Sequence, residues 1–176
     1  MRTQYFIILI LLSILSGCRK DDKTRTSGID KIDNTLYGTG PYYANGFLFS
    51  LAKKVSSLDN PAPDIVVDVN TDGLVNNLSF QANNFKNSFY KVGDYPDAAA
   101  AITAFNNLKT VGASLWEGIA EPINVNQVWV YRTGSERYAK IRIISTVIEK
   151  KDPRSYGECT FEWLYQPDGS LTFPGK

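Results

Sequence analysis

From residue 37 onward, apolar and polar positions alternate in short runs separated by turn-forming residues. That is the pattern of half-buried strands. Early strands are predicted over residues 47–56, 64–69, 74–81 and 88–92. The Pro-rich turn Asn60-Pro61-Ala62-Pro63 and the turn Asn70-Thr71-Asp72-Gly73 punctuate them. Residues 96–109 break the alternation. Pro96 and Asp97 open an Ala-rich stretch that closes on Lys109, which predicts one short helix. Ile102, Phe105 and Leu108 are expected on its buried stripe, with Ala98 and Ala101 beside them.

The later pattern is the clearest. Residues 128–132 read as a strand and Thr133-Gly134-Ser135-Glu136 as a tight turn. Residues 137–148 read as a long strand carrying Ala139, Ile141, Ile143 and Val147 on one face. Its other face holds Tyr138, Lys140 and Arg142, expected to meet solvent. Residues 158–166 complete an antiparallel meander, and Pro167-Asp168-Gly169-Ser170 turns the chain into residues 171–173. The predicted fold class is all-β, mainly antiparallel sheets in a sandwich-like arrangement, with one short helical insertion.

The amino terminus follows a different pattern. Met1-Arg2-Thr3-Gln4 is short and positive, and residues 5–15 are apolar apart from Ser13. The run is shorter than the roughly 20 residues a membrane span needs, and it fits a secretory signal. Leu15-Ser16-Gly17-Cys18 follows and resembles the bacterial lipobox. That resemblance implies acylation of Cys18, a signal peptide over residues 1–17 and a membrane anchor. Several acyl chains hold stably, at about 0.8 kcal/mol per buried methylene. Lys20-Asp21-Asp22 resembles the surface-export signal of Bacteroidetes lipoproteins, which implies an outer-membrane protein facing the cell exterior rather than the periplasm. Residues 18–36 are polar and aperiodic, and read as a flexible tether. Residues 37–176 are then a single β domain, as the length of 176 residues also favours.

Composition removes whole classes of chemistry. The chain has no His, and its single Met is Met1. Imidazole acid–base catalysis and His-ligated metals are excluded. With 19 basic and 18 acidic side chains, no positive excess exists to track a phosphate backbone, so nucleic acid is not an expected partner. Of the two cysteines, Cys18 is the one the lipobox resemblance marks for lipidation. Cys159 falls in the alternating run Cys159, Phe161, Trp163, Tyr165, and reads as a small buried hydrophobe without a base to activate it.

Other candidate chemistry is sparse. Asp68, Asn70 and Asp72, followed by Gly73, match the first half of a calcium loop. The distal bidentate Glu of such a loop falls on Ser79, and a plain β-turn explains Asn70 to Gly73. Asp94, Glu117, Glu121, Glu158 and Glu162 are acids without a linking motif. Glu158 and Glu162 lie roughly 13 Å apart along one strand, too far for a catalytic pair. No G-x-S-x-G elbow or Gly-rich phosphate loop occurs, so no enzymatic activity is expected. Trp116, Trp129, Trp163, Tyr42 and Tyr43 supply either packing or an aromatic platform for a flat ligand.

Val128-Trp-Val-Tyr-Arg-Thr133, then Tyr138-Ala-Lys-Ile-Arg-Ile-Ile-Ser145, then residues 157–169 from Gly157-Glu-Cys-Thr-Phe to Pro-Asp-Gly169 resemble the C-terminal half of HmuY-like lipoproteins. Phe47-Leu-Phe-Ser-Leu51 and Pro63-Asp-Ile-Val-Val67 resemble that family's early strands. The resemblance spans about residues 42–173. It implies an all-β scaffold displayed by a lipid anchor, and binding of haem, porphyrin or another small planar ligand. The His or Met that hold haem iron in that family have no counterpart here, which leaves Tyr, Lys or Cys159 as axial candidates. The alternative expectation is a surface interaction protein that binds a partner protein or a polysaccharide without a cofactor.

Overall fold

The computed structural model describes residues 24–40, 43–71, 76–84, 86–112 and 115–173. Cys18 and Asp72 lie outside the described residues.

Two antiparallel sheets of five strands pack face to face. The first has the order β1-β10-β9-β8-β6, built from β1 (Ser27–Asp33), β6 (Phe89–Asp94), β8 (Gln127–Arg132), β9 (Tyr138–Glu149) and β10 (Tyr156–Gln166). The second has the order β3-β2-β4-β5-β7, from β2 (Asn45–Leu48), β3 (Lys53–Ser56), β4 (Ile65–Asn70), β5 (Asn77–Ala82) and β7 (Ile119–Ala120). Helix α1 (Ala98–Asn107) is the only α-helix among the described residues. The all-β expectation with one helical insertion holds, and β8, β9 and β10 form the expected meander.

The core between the sheets is aromatic. Phe47, Phe49 and Phe80 come from the second sheet and its connections; Trp129, Tyr131, Phe161 and Trp163 come from the first. Phe47 meets Phe161 edge-on with centroids 5.5 Å apart, the geometry that ring quadrupoles favour. Cys159 is fully buried in this core, as its alternating run predicts.

Four expectations need correction. Residues 27–33, read as tether, form β1 and pair with β10 along its whole length, from Ser27 opposite Leu164 to Asp33 opposite Glu158. Ile32, fully buried, is the apolar anchor that holds this polar strand. Residues 47–56 are not one strand. A 3-10 turn at Phe49–Leu51 and the left-handed Ala52, at φ 52°, fold them into a hairpin of β2 and β3. That turn puts Phe47, Leu48 and Phe49 all in buried positions, which a straight strand cannot do.

The third correction concerns register. Between Phe161 opposite Ile143 and Thr160 opposite Ser145, β9 carries an extra residue, Ile144. A bulge of this kind shifts the two-residue alternation by one. Thr146 therefore stands opposite the buried Cys159, while Val147 stands opposite Glu158 on the other face. The fourth concerns solvent. Tyr138, Lys140 and Arg142 are all buried, because their face of the first sheet is covered.

The cover consists of α1 and the segments after it. Asp97 caps the helix by accepting the Ala100 N–H at 2.8 Å. Ala101 and Phe105 are its buried residues, while Ile102 is 41% exposed. The helix is thus held by a narrower stripe than expected. Val111 N–H donates to Leu171 O, and Phe173 N–H to Lys109 O, tying the chain end to the segment that leaves the helix. Phe105, Val111 and Phe173 then close over Val128, Val130, Tyr138 and Leu164 of the first sheet. Lys140 is fully buried beneath them. Its Nζ donates to Phe105 O at 2.6 Å and Leu108 O at 3.2 Å, two carbonyls at the helix carboxyl end, where a positive charge is favoured.

Candidate functional site

The two outer faces of the sandwich are treated differently. That of the first sheet is under the helical cover. That of the second sheet has no helix over it among the described residues, although Ser79 on it is buried. On β4 the inward residues Ile65, Val67 and Val69 serve the core, which turns Val66, Asp68 and Asn70 outward. On β5 the same alternation turns Ser79 and Gln81 outward. β7, only two residues long, adds Ile119 at the sheet margin, with Glu121 just beyond it.

Two clefts open on this face. One of about 270 Å³ is lined by Asp68, Asn70, Ser79, Gln81, Ile119 and Glu121, among others. The other, of about 360 Å³, lies against Ala44, Ser57, Val66, Asp68, Gln81 and Asn83. Asp68 and Gln81 border both. At the end of the sheet the β9–β10 loop folds round from the first sheet, and Arg154 Nη2 donates to Asp68 Oδ1 at 2.7 Å. The pair is about one-third exposed on each side, with side-chain exposures of 38% and 36%, so it is in contact with water. The same loop borders a cleft of about 550 Å³ beside Lys150 and Asn76, and one of about 370 Å³ beside Leu36 and Tyr156.

Gly157 lets this loop approach. A Cβ there would lie 2.3 Å from Val69 Cγ2 and 2.6 Å from Leu78 Cδ1. Only a residue without a side chain brings β10 so close to the second sheet. Asn34 braces the same place: its Oδ1 accepts the Gly157 N–H and its Nδ2 donates to Ser155 O.

Asp68 and Asn70 are on β4 itself, with Asp72 outside the described residues. Asp68 is engaged by Arg154 and by the Val69 N–H, and Asn70 Nδ2 donates to Glu121 Oε1 at 3.1 Å. Among the described residues no three acidic or cysteine side chains gather as a metal-holding group.

Among the described residues the aromatic candidates are engaged in packing. Trp129 and Trp163 are 1% and 0% exposed, inside the core. Trp116 packs on Tyr90 and Tyr138 against the covered sheet, with the Arg132 guanidinium 4.6 Å from its ring. Tyr43 packs edge-on against Tyr37, and Tyr42 is outside the described residues.

The acids are dispersed among partners. Glu162 bonds Arg142 at 2.9 Å, and Glu158 bonds Lys31 at 2.8 Å and the Tyr156 hydroxyl at 2.6 Å. The bonds from Lys31 and then from Tyr156 hold the Glu158 carboxyl below its usual range, and the bond to Glu158 pushes the Tyr156 hydroxyl up. Asp94 is likewise held low by its bond to Lys91. Burial pushes the Cys159 thiol up, away from the thiolate a nucleophile needs.

One titratable group escaped the sequence reading. Asp64 precedes β4 and is withdrawn from water by the 3-10 turn. Burial raises its carboxyl to about 6, partly offset by the Phe49 N–H that it accepts at 2.9 Å. Its main-chain oxygen accepts the Tyr131 hydroxyl at 2.9 Å, which ties the two sheets together. No spacing signal marks Asp64, because its burial comes from a turn that interrupts a strand-like run.

Among the described residues no helix is long and apolar enough to cross a membrane. No model of a known protein family and no curated protein matches this chain. Fold and site define a class, an antiparallel two-sheet β domain with one helix-covered face and one open polar face.

Proposed function

We propose that this protein is a lipid-anchored, surface-displayed binding module, without catalytic activity, that meets its partner on the open face of the second sheet. The observation that carries the reading is the asymmetry of the outer faces. One is sealed by α1 and the chain end around a buried lysine. The other carries two clefts in which polar side chains such as Asp68, Asn70 and Gln81 stand beside apolar ones such as Val66 and Ile119. The lipobox-like Leu15-Ser16-Gly17-Cys18 supplies the anchor, and Lys20-Asp21-Asp22 the export signal. A porphyrin, as the HmuY-like resemblance implies, calls for an aromatic or apolar slot. The tryptophans that suit one are consumed in packing, so the polar partner is the better-supported ligand class.

Palmitate labelling of whole cells, lost in Cys18→Ser, checks the anchor. Gln81→Cys places a thiol on the open face, while Cys159 stays shielded in the core. A membrane-impermeant maleimide is expected to label this variant on intact cells. Labelling only after lysis overturns surface display, and no labelling at all overturns the open face. In parallel, saturable hemin binding with a Soret shift would overturn the polar-partner reading in favour of the porphyrin.

A further inference from the structure

The loop that joins β9 to β10 carries three cations, Lys150, Lys151 and Arg154. All three line the cleft of about 550 Å³ between this loop and the end of the second sheet. The remaining polar lining is Ser155 from the loop, with Thr71 and Asn76 from the ends of β4 and β5, and each of these side chains has a hydrogen-bond donor. No acid lines the cleft among the described residues.

The neighbouring acids leave much of this charge available. Arg154 gives Nη2 to Asp68, and its Nε and Nη1 have no hydrogen-bond partner among the described residues. Lys150 has no ion-pair partner among the described residues. Lys151 pairs with Glu149 at 2.6 Å, but both side chains are at least half exposed, and an exposed pair of this kind yields to an incoming anion at little cost. Asp152 is exposed in the same loop and off the lining.

The donor set narrows the anion. Donors reach the cleft from two sides, the loop and the sheet end. A carboxylate has two oxygens in one plane and a single charge. A phosphate monoester spreads three acceptor oxygens around its phosphorus and carries a charge of about −1.5 to −2 at pH 7, which matches the Lys150 ammonium and the open edge of Arg154 together. The volume lies within the roughly 300–1,000 Å³ of small-molecule sites, and Val69 and Pro153 give the rest of an ester an apolar wall. Position narrows the source. β1 starts at Ser27, opposite Leu164, and reaches Asp33, opposite Glu158 and beside the loop, about 20 Å away at roughly 3.3 Å per residue. With Cys18 as the anchor, the cleft is at the end of β1 away from it, which favours a soluble ester over a lipid headgroup.

We propose that this cleft binds a soluble phosphate monoester, with Lys150 and Arg154 holding the phosphoryl group. The site is separate from the open face, and only the choice of a soluble source rests on the anchor.

The test is isothermal titration of the full chain, purified in non-ionic detergent, with phenyl phosphate, phenyl sulfate and benzoate at neutral pH. These share a ring and differ in the anionic group. Phenyl phosphate is expected to bind about tenfold more tightly than the other two, and more tightly than inorganic phosphate. Lys150→Ala and Arg154→Ala are each expected to weaken it about tenfold, as loss of a charge-assisted hydrogen bond implies. Lys53→Ala, on the edge strand β3, removes the same charge elsewhere and is expected to leave binding unchanged, and thermal melts confirm that each variant folds. Benzoate or phenyl sulfate binding as tightly as phenyl phosphate would overturn the phosphate assignment, and inorganic phosphate doing so would overturn the ester. No loss in Lys150→Ala, or an equal loss in Lys53→Ala, would overturn the site, as would no saturable binding of phenyl phosphate. Phosphatidic acid carried in the same micelles is expected not to compete. Competition by it would overturn the soluble source in favour of a headgroup.

Discussion

Replacing Asp64 by Asn is expected to change how the stability of this protein responds to pH. In the folded chain the carboxylate accepts the Phe49 N–H, and no Lys or Arg is hydrogen-bonded to it among the described residues. Tyr131 donates to the main-chain oxygen of the same residue and in turn accepts from Asn84 Nδ2 at 3.0 Å. Burial dominates, raising Asp64 from 3.8 to about 6. A rise of about two pH units corresponds to about 3 kcal/mol, and partial contact with water lowers the working figure to about 2 kcal/mol. The folded state holds the proton more tightly than the unfolded state. The stability from this group is therefore full below about pH 4 and is lost as pH rises through about 6. At neutral pH the ionised carboxylate is a standing cost.

The difference in stability between the native protein and Asp64→Asn isolates this group. The substitution keeps an oxygen for the Phe49 N–H and removes the charge. Urea denaturation followed by tryptophan fluorescence, with Trp129 and Trp163 buried in the core, supplies the stability at each pH. The stability of the variant minus that of the native protein is expected to rise by about 2 kcal/mol from pH 4 to pH 7.5. Glu158, Asp94, Glu136 and Asp168, all held below their usual range, lose their contributions as pH falls. They do so in both proteins and cancel. A difference that stays flat would mean the folded chain leaves Asp64 as well solvated as the unfolded chain does. A difference that grows toward acid would mean the fold favours the ionised form. Either result refutes the reasoning.

Lys140→Met keeps the length of the side chain but strands two buried carbonyls at the end of α1. A loss of about 3 kcal/mol is expected, with faster hydrogen exchange at the α1 amides before the rest of the first sheet. Exchange that stays slow in α1 would show that the helix is held without the lysine. Gly157→Ala forces a Cβ against Val69 and Leu78 and is expected to lower stability by about 1–3 kcal/mol. Adding Val69→Ala is expected to recover part of that loss in a double-mutant cycle, and strict additivity would refute the contact.

How far the sequence reached depends on what covers each strand. Where a strand has one buried face, two-residue alternation located it: β4 and the Cys159–Trp163 stretch of β10 follow the pattern directly. Where both faces are buried the same rule misassigns the outer one. Lys140 and Arg142 read as solvent-facing because charge usually means water, yet their surroundings include helix carbonyls in one case and the Glu162 carboxylate in the other. The cover that creates those surroundings comes from α1 and from residues 171–173, far away in the chain, so no local window contains it. The Ile144 bulge is invisible for a related reason: every residue of β9 suits a strand, and only the partner strand shows that one is extra. β1 lacked a run of apolar residues because a single buried Ile32 suffices when an existing edge supplies the hydrogen bonds. The candidate site was partly legible, since Asp68 and Asn70 were singled out as candidate oxygen ligands where a predicted strand meets a turn. What changes their meaning is Arg154, 86 residues later in the chain, brought against Asp68 by the close packing that Gly157 permits. A carboxylate paired in that way is no longer a bare oxygen ligand, because guanidinium donors stand beside its acceptors.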